Sequence, residues 1–163
     1  MKSRSILFGS LAVAAGVVWG CAQMKQGGEQ PVAVEQTPAA VQSAIAKVLG
    51  SQKPEKVVIE NADGKKIYEV TYHVNGQEHS AEFTPAGEML EQEADVEVSS
   101  LPPAVSAAVL RKYPGAKIEE AADVTSGGQR FYEIGVKPSS GGAREMQINA
   151  DGSIRADQAE KGD

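Results

Sequence analysis

The chain has 163 residues, enough for one modest domain or two very small ones, and its residues are 41% hydrophobic but only 5% aromatic. Net charge is −6, from 16 basic and 22 acidic residues, and an acidic surface repels phosphate backbones and anionic head groups, which excludes nucleic acid as a partner. A single cysteine excludes an internal disulfide framework.

The N-terminus reads "MKSRSILFGSLAVAAGVVWGC". Lys2 and Arg4 precede an apolar run from Ile6 to Trp19. That run is shorter than the roughly 18 residues a bilayer-spanning helix needs, and a charged start with a short apolar core describes a secretory signal. "VWGC" resembles the bacterial lipoprotein signal, matching it at Val18, Gly20 and Cys21 and departing from it at Trp19, a position usually small. The resemblance implies cleavage after residue 20 and acylation of Cys21, with Ala22 directing the protein to the outer membrane. It also explains why no second thiol is carried into an oxidising compartment. Removing Lys2 and Arg4 leaves 14 basic residues against 22 acidic ones, a mature charge of −8.

Residues 21–36 are polar and read as an acylated cysteine followed by a flexible tether. From there the chain repeats itself. "TPAAVQSAIAKVL" at 37–49 parallels "LPPAVSAAVLRKY" at 101–113, and "KIYEV" at 66–70 parallels "RFYEI" at 130–134, both at an offset of 64. "FTPAGEML" at 83–90 and "INADGSIR" at 148–155 align at an offset of 65. A repeated period means one supersecondary unit used twice. The expected units are 37–98 and 99–157, with a disordered tail at 158–163.

Each unit opens with a helix. Val41, Ala44, Ile45, Val48 and Leu49 form one apolar stripe, with Thr37 as cap, Pro38 in the first turn and Gly50 as stop. Val105, Ala108, Val109 and Tyr113 repeat the stripe before Pro114-Gly115.

Strands follow, and Asn75-Gly76 predicts a two-residue hairpin turn. That turn sets Val74 opposite Gln77, Tyr72 opposite His79, Val70 opposite Ala81 and Tyr68 opposite Phe83. Tyr68, Val70, Tyr72, Ala81 and Phe83 then share a core face with Val57 and Ile59. In the second unit Tyr132, Ile134, Val136, Met146 and Ile148 face inward, and residues 89–98 add a fourth strand to the first. The expected class is α+β: two tandem α-β-β-β(β) units forming antiparallel sheet, with one helix per unit packed on one face.

Glu69, Thr71, His73, Glu78, Ser80 and Glu82 fall on the other face, where Glu133 repeats Glu69. We take these seven as the candidate partner-binding face, because Glu69 and Glu82 stand directly opposite and like charges in that position are unfavourable. The bland alternative is a solvated surface neutralised by Lys56, Lys66 or Arg130. His73 and His79 lie on opposite faces, so no shared metal site is expected. No nucleophile, base and orienter occur together, so no catalytic residues and no cofactor are assigned.

The paired helix-then-strands units, "IYEV" and "FYEI", "TPAGEML", "NADGSIR" and the lipoprotein signal together resemble the PepSY-like family. That family is similar in fold to the small secreted β-lactamase inhibitor proteins. The resemblance spans roughly residues 37–157. It implies a non-enzymatic envelope module, anchored by lipid, monomeric, that binds and restrains an envelope protein such as a peptidase. It does not imply β-lactamase inhibition, since the open face here is charged rather than aromatic. The alternative function is binding or sensing of a cation or small molecule.

Overall fold

The computed structural model describes residues 29–62 and 64–159. The leader and Cys21 lie outside them. Within them the chain forms one nine-stranded sheet, and every strand pairs antiparallel with the next in sequence. The first half contains β1 (Gln30–Pro31), α1 (Ala39–Leu49), β2 (Pro54–Ala62), β3 (Lys65–Val74), β4 (Gln77–Phe83) and β5 (Met89–Asp95). The second contains α2 (Pro103–Lys112), β6 (Lys117–Ser126), β7 (Gln129–Lys137), β8 (Arg144–Ile148) and β9 (Ile154–Ala159).

The Asn75-Gly76 turn forms with φ of 53° and 83°, positive at both positions as its type requires. The β3–β4 register is the expected one, from Tyr68 opposite Phe83 to Val74 opposite Gln77. Strict alternation then sends Tyr68, Val70, Tyr72, Ala81 and Phe83 into a core under α1, joined by Val41, Ile45, Leu49 and Val57. A separate core under α2 gathers Leu101, Val105, Ala108, Val109, Ala121, Ile134, Val136, Met146 and Ile148. Each fully buried aliphatic side chain contributes on the order of 1.5–3 kcal/mol. The two cores share no residue, and the halves meet through the β5–β6 ladder of five residue pairs.

Three expectations are corrected. Thr37 does not cap α1: its hydroxyl donates to the Val34 carbonyl at 2.7 Å, closing a short 3-10 turn at Val34–Gln36, and Pro38 takes the cap position. Residues 30–36 are not flexible tether, because β1 pairs with β2 and Val32 and Val34 pack on the first core. Gln158 and Ala159, expected in the tail, belong to β9.

The hairpins after β4 and β8 lie against the helix starts. Gly87 and Gly152 have φ of 78° and 84°, and a Cβ on either would come within 2.6 Å of a helix carbonyl, that of Ala40 or Ala104 respectively. At the far end of α2, Asp157 accepts from the Tyr113 hydroxyl at 2.7 Å and from Arg144 at 2.7 and 2.9 Å, and pairs with Lys112 at 2.5 Å. Its carboxylate side chain is 7% exposed. Burial alone would raise its pKa, but the hydrogen bonds from Lys112, Tyr113 and Arg144 outweigh it and hold the group below the usual carboxylate value.

Two tests follow from this packing. Gly87→Ala and Gly152→Ala should each cost about 2 kcal/mol or more in urea unfolding, against about 1 kcal/mol for Gly64→Ala. Gly64 shares the positive φ, at 76°, but has open space around it. Asp157→Asn should destabilise at pH 7 by about 2 kcal/mol, since it leaves Arg144 and Lys112 without their counter-charge. Because Asp157 titrates lower in the folded than in the unfolded chain, its contribution is present above the unfolded carboxylate pKa and is lost as pH falls through the folded one. The difference between mutant and wild type should therefore shrink towards pH 3.

Candidate functional site

The strand residues that alternate with the core positions point to the side of the sheet that carries no helix. On β3 and β4 the register sets Glu69 opposite Glu82, Thr71 opposite Ser80 and His73 opposite Glu78. All six expected residues on these strands therefore share the helix-free face. β5 extends the row, with Glu91 opposite Glu82 and Glu93 opposite Ser80. Beyond it, Glu133 on β7 opposes Gln147 on β8, and Gly135 opposes Glu145. The sheet thus brings Glu69, Glu82, Glu91, Glu93, Glu133 and Glu145 onto one surface, with neighbouring strands about 4.8 Å apart.

Inside this acidic field lies an apolar strip that the sequence reading missed. Glu93 opposes Val124, Asp95 opposes Ala122, and across the next ladder Val124 opposes Phe131 and Ala122 opposes Glu133. Ala122, Val124 and Phe131 form a small sealed cluster on the face without helices. The Arg155 guanidinium stacks 4.4 Å above the Phe131 ring and donates to Gln129 at 2.7 Å. A signal was present in the sequence: Phe131 is apolar on the parity opposite to Tyr132 and Ile134, and the Gly127-Gly128 turn sets Val124 against it.

The face is not the solvated surface that the bland alternative required. Glu82 is 7% exposed, Glu133 4% and Gln147 5%. Of the named cations, Lys56 acts on Glu69 and Glu60 only at longer range, and Arg130 is turned away. Lys56 pairs with Glu29, and Arg130 donates from Nε to Asp123 at 2.8 Å on the helix-bearing side. Glu133 accepts a hydrogen bond from the Gln147 amide at 2.8 Å. Among the described residues no ion pair is formed by Glu69, Glu93 or Glu133.

Burial and mutual repulsion raise these carboxyls together. Glu69 is pushed up to about 8, first by burial and then by the charges of Glu60 and Glu82. Glu133 is pushed up to about 7 by burial and by Glu145, Glu91 and Glu82, with the Gln147 hydrogen bond opposing. Glu93 rises well above its ordinary value through burial and then through Glu133, Glu91, Asp95 and Glu69. At neutral pH the face therefore holds protons that a water-exposed glutamate would have lost.

The histidines are engaged elsewhere. His73 meets Glu55 at 2.7 Å at the end of the face, while His79 lies on the other side with its ring 5.3 Å from that of Tyr72. Among the described residues no group of three His, Cys, Asp or Glu side chains is arranged to hold a metal ion.

The raised carboxyls bear on stability. A glutamate whose folded pKa exceeds its unfolded one stabilises fully below the unfolded value, and that contribution is lost as pH rises through the folded value. Glutamine mimics the protonated form at every pH. Glu69→Gln should thus leave Tm nearly unchanged at pH 4 and raise it by a few degrees at pH 8.5, about 1 kcal/mol for a face partly open to water. An equal effect at both pH values would contradict the raised pKa.

No family model matches the chain, and no curated protein matches it. Solved structures do. A DUF2874 family protein from Bacteroides uniformis superposes with a TM-score of 0.64 at 20% identity, over 76% of this chain and 89% of that one. A protein from Bacteroides eggerthii, described as periplasmic, gives 0.64 at 20% identity over 76% and 88%. A BLIP-like protein from Bacteroides fragilis gives 0.62 at 17% identity over 78% and 89%. At these identities the likeness is one of fold, and the fold of this chain is BLIP-like.

Proposed function

We propose that the protein is a non-enzymatic, lipid-anchored envelope module that binds a protein partner through its helix-free face and restrains that partner's activity. The observation that carries this reading is the face itself. It crowds Glu69, Glu82, Glu91, Glu93, Glu133 and Glu145 around the Ala122–Val124–Phe131 strip, and no helix among the described residues covers it. Stability alone would favour residues other than Glu69, Glu93 and Glu133 there, because ionising a buried carboxyl costs free energy unless a counter-charge arrives. A partner presenting Lys or Arg side chains would supply the counter-charge.

We read the chain as two units of one supersecondary pattern. The β2–β3 ladder is interrupted between Pro54 and Lys56 and the β6–β7 ladder between Ile118 and Glu120, an offset of 64. The β4–β5 and β8–β9 ladders are interrupted at Glu82/Phe83 and Gln147/Ile148, an offset of 65. The approach of Gly87 to Ala40 recurs in that of Gly152 to Ala104. These coincidences of irregularity support duplication more strongly than shared regular structure does.

Anchoring rests on the leader and Cys21. The periplasmic description of the Bacteroides eggerthii protein fits an envelope location. Since β1 begins at Gln30, the tether from Cys21 is at most nine peptide steps, a reach of about 30 Å. The face would therefore work close to the membrane surface.

Binding should release protons. The full chain in detergent should capture a partner from envelope extract more strongly at pH 8.5 than at pH 6, by up to about tenfold per pH unit for each proton displaced. Glu69→Gln with Glu133→Gln should weaken capture at pH 8.5 while retaining the native circular dichroism spectrum. Capture indifferent to both pH and these substitutions would remove this face from the reading.

A further inference from the structure

The two outer edges of the sheet each match one side of the joint in its middle. β5 and β6 meet through five pairs, from Glu91 opposite Ser126 to Asp95 opposite Ala122. Moving the last two pairs back by 64 positions sets Gln30 opposite Ile59 and Pro31 opposite Val58. Those are the two pairs that β1 makes with β2. Among the described residues β1 contributes two pairs where β5 contributes five, and Glu60–Ala62 of β2 have no ladder neighbour on that side.

At the opposite edge β9 holds the place of β5. Ile154 pairs with Ile148 as Met89 pairs with Phe83, and Ala156 with Gln147 as Glu91 with Glu82. Its outer side has no neighbour among the described residues. An unpaired strand edge is a template for another strand, and proline or lysine commonly blunts it; β9 has neither.

We propose that β9 of one molecule pairs antiparallel with β2 of a second molecule, in the register of the β5–β6 joint, to give head-to-tail self-association. This rests on the two-unit reading above. In that register Asp157 opposes Asn61, Gln158 opposes Glu60 and Ala159 opposes Ile59, with no like-charged pair among them. Gln158 can donate to Glu60, and Ala159 takes the place of Gln30 beside Ile59. Among the described residues, the two pairs of β1 are what has to yield. The contact joins different edges, so it propagates rather than closing as a two-fold dimer.

Cysteine cross-linking of the full chain in its own envelope tests this. Glu60 and Gln158 are both partly exposed, so Glu60→Cys and Gln158→Cys leave the cores intact. Within one molecule β2 and β9 are seven strand spacings apart, roughly 30 Å, so any disulfide between them joins two molecules. The double variant should run on a non-reducing gel as a ladder of dimer, trimer and higher species, with each single variant remaining monomeric, because its one cysteine then faces glutamate or glutamine across the contact. Dimers from Gln158→Cys alone, unchanged in the double variant, would overturn the proposal in favour of a symmetric β9 contact. Absence of any cross-link would overturn it and leave the two-unit reading standing. A ladder from Glu60→Cys with Ala156→Cys, and not with Gln158→Cys, would show a shifted register and overturn both.

Discussion

Alternation along β3 and β4 is the constraint on which the rest of the structure depends. The Asn75-Gly76 turn locks Tyr68 against Phe83, and a slip of one residue would exchange the two faces outright. The tyrosines and valines would then meet water, while Glu69 and Glu82 would be driven under α1. Because that exchange is so costly, the core face and the acidic face are specified together. Neither can be altered in register without the other.

The same constraint explains which features were legible in the sequence. Local signals sufficed for both helices, for the register of β3 and β4, and for the inward residues of β7 and β8. Each rests on a periodicity or a turn contained within about twenty residues. β1 escaped because two residues carry no period, and the packing of Val32 and Val34 depends on a core assembled from distant strands. Thr37 was misjudged because a short 3-10 turn upstream offered its hydroxyl a nearer acceptor than the helix amides.

Legibility of the site was divided in the same way. The membership of Glu69, Thr71, His73, Glu78, Ser80 and Glu82 on one face follows from alternation alone. Their burial does not, since it depends on β5 bringing Glu91 and Glu93 alongside and on β7 and β8 adding Glu133 and Gln147. Those contacts are set by the order of nine strands rather than by any local pattern. A polar run read as solvated is therefore a crowded surface, and the apolar strip within it comes from residues that break the alternation of β6 and β7.

The division of labour between the two faces then has a physical reason. Each half buries its own core beneath its own helix, so the joint at β5 and β6 carries little of the helix-side packing. What crosses the joint is the helix-free face, where Glu93 of the first half sits against Val124 and Glu133 of the second. Charge placed there acts on both halves at once. A ligand that neutralises it would tighten the contact between halves as well as occupy the surface, because relieving repulsion across a shared ladder favours the arrangement in which the ladder is intact. A counter-charge arriving at the acidic face would thus act through the same interactions that set the mutual orientation of the two cores.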